Sequence, residues 1–122
     1  EEAPLTAINF VQTLIDAGLA VAIATDANPG SCTSENIQLM MSLAAVRMRM
    51  TMEEIITAVT FNAAAALDRS DMLGSIEVGK QADLLMFDTP NYQRIIYHFG
   101  VNHLNTVVKH GRVVMERSYA PA

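Results

Sequence analysis

The chain of 122 residues contains one cysteine, no tryptophan and only eight lysine and arginine residues. A single cysteine, Cys32, cannot form an internal disulfide, so we expect a reducing, cytoplasmic setting and a thiol that packs as a small apolar group. The basic residues are scattered and the net charge is −5, so the sequence lacks the basic stripe that nucleic-acid binding needs. No apolar run approaches the roughly 20 residues that cross a bilayer, and the acidic start differs from a signal peptide.

The composition indicates a folded chain that is short for the architecture its pattern suggests. Hydrophobic residues make up 51% of the sequence and charged residues 17%, unlike a disordered segment. A helix followed by a buried strand is typical of α/β barrels, and a complete eight-stranded barrel needs about 250 residues. The sequence therefore predicts part of a barrel, and Glu1 as first residue fits an excised segment or a processed chain.

The start of the chain predicts a helix followed by a strand. Pro4 suits the first turn of a helix, apolar residues recur at helical spacing, and Gly18 is placed to end the helix. Residues 19–24 form a continuous apolar run, which predicts a parallel strand buried on both faces. The apolar residues of the helix are Ile8, Val11, Leu14 and Ile15.

Three helices without intervening strands are predicted next, and each has a residue able to cap its first turn. The second helix carries an apolar stripe, the third opens with a capping box, and the fourth, 63–67, is rich in alanine. The predicted caps are Thr33 or Ser34, Thr51 with Glu54, and Asn62. The residues predicted to face inward are Ile37, Met40, Met41, Ala44 and Met48, then Ile55, Ile56 and Val59.

The composition changes between residues 69 and 75, which predicts the boundary of a second, β-rich region. Within it, His110-Gly111 separates two β-rich runs and favours a two-residue hairpin turn. Residues 90–100 have a mixed pattern from which we predict no state. The predicted β segments are 75–80 with a turn, 82–88, 106–109 and 112–115.

Asp26 is the strongest candidate for chemistry, because it ends the apolar run and a Pro-Gly turn follows at once. A carboxylate at the C-terminal end of a barrel strand can bind a metal ion, accept a proton from water, or do both. From position alone, an aspartate that merely caps the next turn is equally expected. Asn28-Pro29-Gly30 predicts a type II turn, and Gly30 leaves room for a ligand. Ser31 and Thr33 precede a predicted helix N-terminus, which favours an anion such as a substrate carboxylate.

The three histidines, His98, His103 and His110, do not complete a metal site. Neither the alternating spacing of two ligands on a strand nor the four-residue spacing of a helical site occurs. A catalytic zinc has three protein ligands and an open position. The sequence therefore contains one good ligand, Asp26, and we expect each histidine to be a surface or hydrogen-bonded residue.

Several segments resemble the imidazolonepropionase family of metal-dependent amidohydrolases. Residues 25–31, Thr-Asp-Ala-Asn-Pro-Gly-Ser, resemble the family's last-strand motif, and residues 97–102, Tyr-His-Phe-Gly-Val-Asn, point to the same family. Residues 60–64 and 74–84 resemble segments shared by the wider amidohydrolase superfamily. Ala27 and Cys32 stand where the family pattern leads us to expect other residues. The resemblance covers nearly the whole chain.

The resemblance implies an α/β fold: the C-terminal part of a (β/α)8 hydrolase barrel in residues 1–68, and strands of a small composite β-sandwich in residues 69–122. It implies hydrolysis of 4-imidazolone-5-propanoate to N-formimidoyl-L-glutamate in histidine degradation, with one zinc or iron ion in the intact protein. By position, Asp26 is implied to be a metal ligand and to carry the proton from water to the leaving nitrogen. Asn28, Gly30 and Ser31 are implied to contact substrate.

The same resemblance places the family's histidine ligands upstream of this chain, so we expect the segment alone to be inactive and to hold no metal. Two alternatives remain: another cyclic-amide amidohydrolase, or a non-catalytic interaction or oligomerisation module. The expected partner is a small-molecule substrate, not nucleic acid or membrane. Because a barrel strand without neighbours exposes its edges, we expect a homo-oligomer, a swapped assembly or poor solubility for the chain alone.

Overall fold

The computed structural model describes residues 7–118, in which helices and strands are mixed as the α/β prediction requires. No helix within this range is long and apolar enough to cross a bilayer. In chain order the elements are α1 (Ala7–Asp16), α2 (Ile37–Met48), α3 (Met52–Val59), α4 (Phe61–Ala66), β1 (Leu84–Phe87), α5 (Tyr92–Tyr97), β2 (Leu104–Lys109) and β3 (Arg112–Glu116).

The core lies between α2, α3 and α5. Ile55 and Ala58 on α3 are completely buried, and removing apolar side chains from water is the main favourable term in folding. The hydroxyl of Ser42, also buried, donates a hydrogen bond to the carbonyl of Ile96 at 2.7 Å, so α2 and α5 are joined by a satisfied polar contact. The predicted inward faces of α2 and α3 are confirmed, since every residue of those two stripes is buried or half-buried. The other buried members of the core are Met41, Ala44, Met50, Ile95 and Ile96.

The first predicted helix is confirmed as α1. Val11 and Ile15 pack against the core. Gly18 follows the helix with φ of +77°, the left-handed conformation in which glycine commonly ends a helix. Pro4 and the side chain of Ile8 lie outside the described residues.

The predicted capping box opens α3. The N–H of Thr51 donates to Glu54 Oε2 at 2.7 Å, and the N–H of Glu54 donates to Thr51 Oγ1 at 3.2 Å. Two N–H groups that the helix itself cannot pair are thereby satisfied. The signal is local, which is why four residues of sequence were enough to predict it.

The predicted cap of α2 is wrong. Asn36, rather than Thr33 or Ser34, caps this helix, and its side-chain oxygen accepts the N–H of Leu39 at 3.1 Å. The hydroxyl of Ser34 accepts the N–H of Asn36 at 3.2 Å instead. Short polar side chains compete for such local hydrogen bonds, and here Asn36, the residue nearest the apolar stripe, is the N-cap.

Residues 19–24 are wrongly predicted as a strand buried on both faces, since none of the strands found within residues 7–118 includes them. Val21 and Ile23 are half-buried, whereas the alanines between and after them are exposed. Strands need a hydrogen-bonded neighbour, and this segment is bonded to helices. The N–H of Ile23 donates to the carbonyl of Ala58 at 3.1 Å, and Asn62 Nδ2 donates to the carbonyl of Val21 at 2.8 Å. Helix α4 begins at Phe61 with Thr60 as its N-cap residue, so Asn62 lies within the helix and is not the predicted cap.

A three-stranded antiparallel sheet in the order β1-β2-β3 ends the described chain. The predicted hairpin is confirmed, since His110 and Gly111 both have positive φ, +49° and +74°, as its two-residue turn requires. The predicted strand at 82–88 is confirmed over the shorter β1. Helix α5 falls in the stretch for which the pattern predicts no state.

The predicted strand within residues 75–80 is wrong, although the turn is present. Lys80 organises this loop, because its Nζ donates to the carbonyl of Ser70 at 2.7 Å and to the hydroxyl of Ser75 at 2.6 Å. The same nitrogen pairs with Glu77 at 2.9 Å and lies 5.6 Å from the ring centroid of Phe61. The loop therefore turns around a single ammonium group, and its backbone is not extended.

Gly74 is the tightest point between this loop and α4. Its φ is +92°, and a Cβ added there would lie 2.7 Å from the Cβ of Ala64 and 3.0 Å from the carbonyl oxygen of Thr60. Gly79 has the same φ of +92° but has no atom within 4 Å of such a Cβ. A substitution at Gly79 would therefore test backbone strain alone, whereas one at Gly74 would test backbone strain together with a steric clash.

We expect Gly74→Ala to destabilise the chain more than Gly79→Ala. Both replacements carry a left-handed strain of roughly 1–2 kcal/mol. Gly74→Ala adds an overpacking cost of about 1–3 kcal/mol, because the new methyl group meets α4. Denaturant unfolding of the two variants measures the difference, and equal midpoints would contradict the close approach.

Asp83 joins the start of β1 to the hairpin. Its carboxylate accepts the backbone N–H of His110 at 2.9 Å, the ammonium of Lys109, and the side-chain amide of Gln81 at 2.7 Å. The His110 N–H, followed by the Lys109 contact, holds the pKa of Asp83 down to about 2. The ionised carboxylate is thus the form that holds the turn.

Acid is expected to weaken this corner of the sheet. Because the folded pKa of Asp83 lies below the unfolded value of 3.8, its stabilising contribution is complete above pH 3.8 and is lost as pH falls through about 2. Asp83→Asn should flatten the fall in stability between pH 4 and pH 2, as measured by unfolding at each pH. The exposed Asp71, changed to asparagine, serves as the control, and an unaltered pH dependence in Asp83→Asn would refute the assignment.

Candidate functional site

Asp26 lies where the extended segment 19–25 turns into the loop before α2. Its backbone has φ of +50°, a left-handed conformation that few residues other than glycine, asparagine and aspartate adopt. The residue is exposed. The backbone therefore holds Asp26 in an unusual conformation while its carboxylate faces solvent.

Asn28 ties the loop together. Its Oδ1 accepts the N–H of Gly30 at 2.9 Å and the N–H of Ser31 at 2.8 Å. Its Nδ2 donates to the carbonyl of Asp26 at 2.6 Å and to the hydroxyl of Ser31 at 3.2 Å. The backbone N–H of Asn28 also donates to the carbonyl of Cys32 at 2.6 Å, closing the turn. All four predicted site residues, Asp26, Asn28, Gly30 and Ser31, are thus brought into one hydrogen-bonded loop.

The predicted type II turn is wrong, because a type II turn needs a positive φ at Gly30 and Gly30 is outside the left-handed region. The left-handed residue of the loop is Asp26. Glycine is explained instead by proximity, since a Cβ at position 30 would lie 3.3 Å from Asn28 Oδ1. A side chain there would press on the acceptor that organises the loop.

The predicted anion site at Ser31 and Thr33 is not formed. Helix α2 begins at Ile37, so neither residue borders its first turn. The N–H of Ser31 donates to Asn28 and is not directed to a ligand. An open cavity of about 340 Å³ does adjoin the loop, and its lining includes the acidic residue Glu35. The other lining residues are Ala27, Asn28, Pro29 and Thr33.

Cys32 is half-buried beneath the same loop. Its thiol donates to the carbonyl of Thr25 at 3.2 Å, on the residue before Asp26. The predicted role of a small packed side chain holds in part, since the sulfur also makes this polar contact. Cys32 thereby links the two ends of the loop.

The histidines do not gather around Asp26. The rings of His98 and His103 stack with centroids 5.0 Å apart, whereas His110 lies in the hairpin turn. Burial, followed by the charges of Arg94 and His103, lowers the pKa of His98. His103 Nε2 is buried and has no hydrogen-bond partner among residues 7–118.

The residues present do not by themselves fit a catalytic metal ion. No three histidine, cysteine, aspartate or glutamate side chains within residues 7–118 lie close enough to hold one. A catalytic zinc requires three protein donors, and Asp26 offers one. What the site can do chemically is present an exposed carboxylate, able to ligate or to accept a proton, at a fixed place.

The sequence pattern does not reveal the contact that Asn62 makes near this site. Its position at the start of an alanine-rich run favours a helix cap, whereas its amide reaches Val21 on the segment that leads to Asp26. The contact joins residues 41 positions apart. No local signal predicts such a pairing.

The chain matches the amidohydrolase family model over residues 6–114. It is 60% identical over 104 residues to an imidazolonepropionase of Alkaliphilus oremlandii, covering 85% of this chain and 25% of that protein. It is 44% identical over 120 residues to an imidazolonepropionase of Fusobacterium nucleatum, covering 93% of this chain and 29% of that protein. The chain therefore spans between a quarter and a third of the length of these curated relatives.

Solved structures agree in fold. A 5-methylcytosine deaminase from Klebsiella pneumoniae superposes with a TM-score of 0.73 and 27% identity, covering 92% of this chain and 28% of that one. A zinc-bound adenosine deaminase from Xanthomonas campestris gives a TM-score of 0.76 and 28% identity, covering 84% and 27%. An amidohydrolase from Thermotoga maritima gives a TM-score of 0.71 at 24% identity, covering 93% and 27%.

These similarities confirm the predicted fold class at the level of a fragment of a (β/α)8 barrel-type amidohydrolase domain with mixed helices and strands. They also confirm the resemblance on which the site residues were inferred. The family match covers most of the chain, including the Asp26 loop and β1–β3 up to residue 114. The chain belongs to the amidohydrolase family.

Proposed function

We propose that this chain is the C-terminal part of an imidazolonepropionase, a hydrolase that opens the ring of 4-imidazolone-5-propanoate to give N-formimidoyl-L-glutamate in histidine degradation. The observation that carries the proposal is the Asp26 loop, which holds an exposed carboxylate in a strained backbone position closed by Asn28. The 60% identity to an imidazolonepropionase supports this substrate over that of another amidohydrolase. A small-molecule substrate follows from the same reaction.

Asp26 is the group to which we assign the proton transfer. A carboxylate positioned near the attacking water accepts its proton and returns it to the leaving ring nitrogen, because breaking an amide C–N bond requires a protonated leaving group. Gly30 and Ser31 would contact the substrate, while Asn28 would act mainly through the loop. Both hydrogens of the Asn28 amide are already donated within the loop, so binding substrate directly would require breaking one of these bonds.

For the intact protein we propose one bound divalent metal ion, zinc or iron, with Asp26 as one ligand. Zinc is bound in the similar adenosine deaminase. The described residues supply one of the donors such an ion needs, so the others must come from the remainder of the longer protein. On this basis residues 1–122 alone would be inactive.

The same proposal divides the chain into barrel residues 1–68 and sandwich residues 69–122. Strands β1–β3 would belong to the sandwich, and α5 would be its contact with the barrel, because Ile95 and Ile96 pack into the core with α2. Within residues 7–118 no strand pairs with segment 19–24, which supports assembly of this chain with other chain segments, including a homo-oligomer of the intact protein. We propose a cytoplasmic setting, consistent with a single unpaired cysteine.

Asp26→Asn in the full-length protein is expected to abolish most turnover while leaving folding unchanged. Loss of a general acid–base group costs about 10²–10⁴-fold in kcat. Asparagine tolerates a left-handed backbone, so the loop should persist. The measurement is kcat for hydrolysis of 4-imidazolone-5-propanoate, monitored through the loss of substrate absorbance.

A matched control for this change exists in the chain. Asp68 is also an exposed aspartate with positive φ, +55°, so Asp68→Asn makes the same chemical change on the same type of backbone. It should keep wild-type kcat. Wild-type kcat in Asp26→Asn would eliminate the assigned role. A folded, metal-loaded full-length protein that leaves this substrate intact, but hydrolyses another cyclic amide or deaminates a nucleobase, would support a different amidohydrolase.

Asn28 is expected to act on substrate binding through the loop. Asn28→Ala removes the acceptor for the Gly30 and Ser31 N–H groups. Each lost hydrogen bond is worth about 1 kcal/mol, so the two together should raise KM by about thirtyfold. Asn28→Asp keeps that acceptor and should raise KM less. Steady-state kinetics on the full-length protein distinguish the two, and equal KM values for the two variants would argue against the role of the acceptor.

A further inference from the structure

We propose that Asn62 is a positioning residue for Asp26: together with the carbonyl of Ala58, its amide clamps the extended segment 19–25 onto the helices and so sets the place of the carboxylate at its end. The inference deepens the function proposed above and rests on it for the role of Asp26. Whether Asn62 holds the segment in place can be tested without substrate.

The two contacts of the clamp lie on one edge of the segment. Asn62 Nδ2 donates to the carbonyl of Val21 at 2.8 Å, and the N–H of Ile23 donates to the carbonyl of Ala58 at 3.1 Å. In extended backbone, groups two residues apart point the same way. The corner between α3 and α4 therefore presents one donor and one acceptor to the same segment.

Burial makes both contacts costly to lose. Ala58 is completely buried, and its carbonyl belongs to the last turn of α3, where the helix supplies no partner. Val21 and Asn62 are half-buried. A buried carbonyl without a partner costs free energy, so the segment is held at these two points more firmly than its apolar side chains alone would hold it.

The clamp lies three residues from the catalytic position. Beyond Ile23, the chain reaches Asp26 through Thr25, whose carbonyl accepts the thiol of Cys32, and then enters the loop closed by Asn28. The loop fixes the shape around Asp26, whereas the clamp fixes where that loop sits relative to the helical core. Loss of the Asn62 amide should shift the Asp26 carboxylate and leave the hydrogen bonds within the Asn28 loop intact.

Hydrogen exchange of the full-length protein tests the clamp directly. In Asn62→Ala, the peptide covering residues 19–26 should exchange about fivefold faster, the factor expected for one lost hydrogen bond of about 1 kcal/mol, with other peptides unchanged. Asn62→Leu keeps the volume but lacks the donor and should behave in the same way. Asn91→Ala is the matched control, because Asn91 caps α5 by accepting the N–H of Arg94 at 3.1 Å and should affect only that region.

Kinetics of the same full-length variants test the positioning. A misplaced catalytic group lowers the rate of the chemical step, so kcat should fall by about tenfold to a hundredfold while KM stays within twofold. Asn91→Ala should keep wild-type kcat even where it lowers the unfolding midpoint. If Asn62 contributed only to overall stability, its replacement would lower the unfolding midpoint without lowering kcat at an unchanged KM.

The outcomes separate the two proposals. A wild-type exchange rate in Asn62→Ala would overturn the clamp. A wild-type rate in Asn62→Leu with faster exchange in Asn62→Ala would also overturn it, because packing rather than the amide would then hold the segment. Faster exchange with unchanged kcat would overturn the positioning role. If the metal-loaded wild-type protein fails to hydrolyse 4-imidazolone-5-propanoate, the proposed function fails, and the exchange experiment still decides the clamp.

Discussion

The complete burial of Ile55 and Ala58 is the constraint on which the rest of the described chain depends. These two residues lie on the face of α3 that forms the centre of the core, and α2 and α5 pack around that face. The capping box at Thr51 determines where α3 begins, so the register of its buried face is set within its first turn. Because the carbonyl of Ala58 receives the N–H of Ile23, the same helix also anchors the segment that carries Asp26.

Features predictable from sequence are those whose cause is local. The capping box needs residues three positions apart, and the hairpin needs two adjacent residues that tolerate positive φ. The loop at Asp26 was also recognisable, because aspartate, proline and glycine occur together after an apolar run. The resemblance adds the roles proposed for Asn28, Gly30 and Ser31, which residue chemistry alone leaves open.

Features that failed prediction depend on partners distant in sequence. The apolar run 19–24 has the composition of a buried strand, but a strand also requires a neighbouring strand. Within the described residues the hydrogen bonds of this run go to α1, α3 and α4. Asn62 was assigned the cap of its own helix because a cap is the local use of asparagine. The burial of Lys80 among Ser70, Ser75 and Glu77 similarly replaces a predicted strand with a loop around a charge.

The left-handed backbone at Asp26 limits how this position can change during evolution. Glycine, asparagine and aspartate are the residues that accept such a φ readily, and aspartate alone among them carries an ionisable group. Glutamate would keep the charge but strain the backbone, while asparagine would keep the loop but lose the charge. On the catalytic role proposed for Asp26, a lineage that abandons catalysis can do so by one substitution that leaves the fold intact, whereas one that keeps catalysis has no close substitute for aspartate.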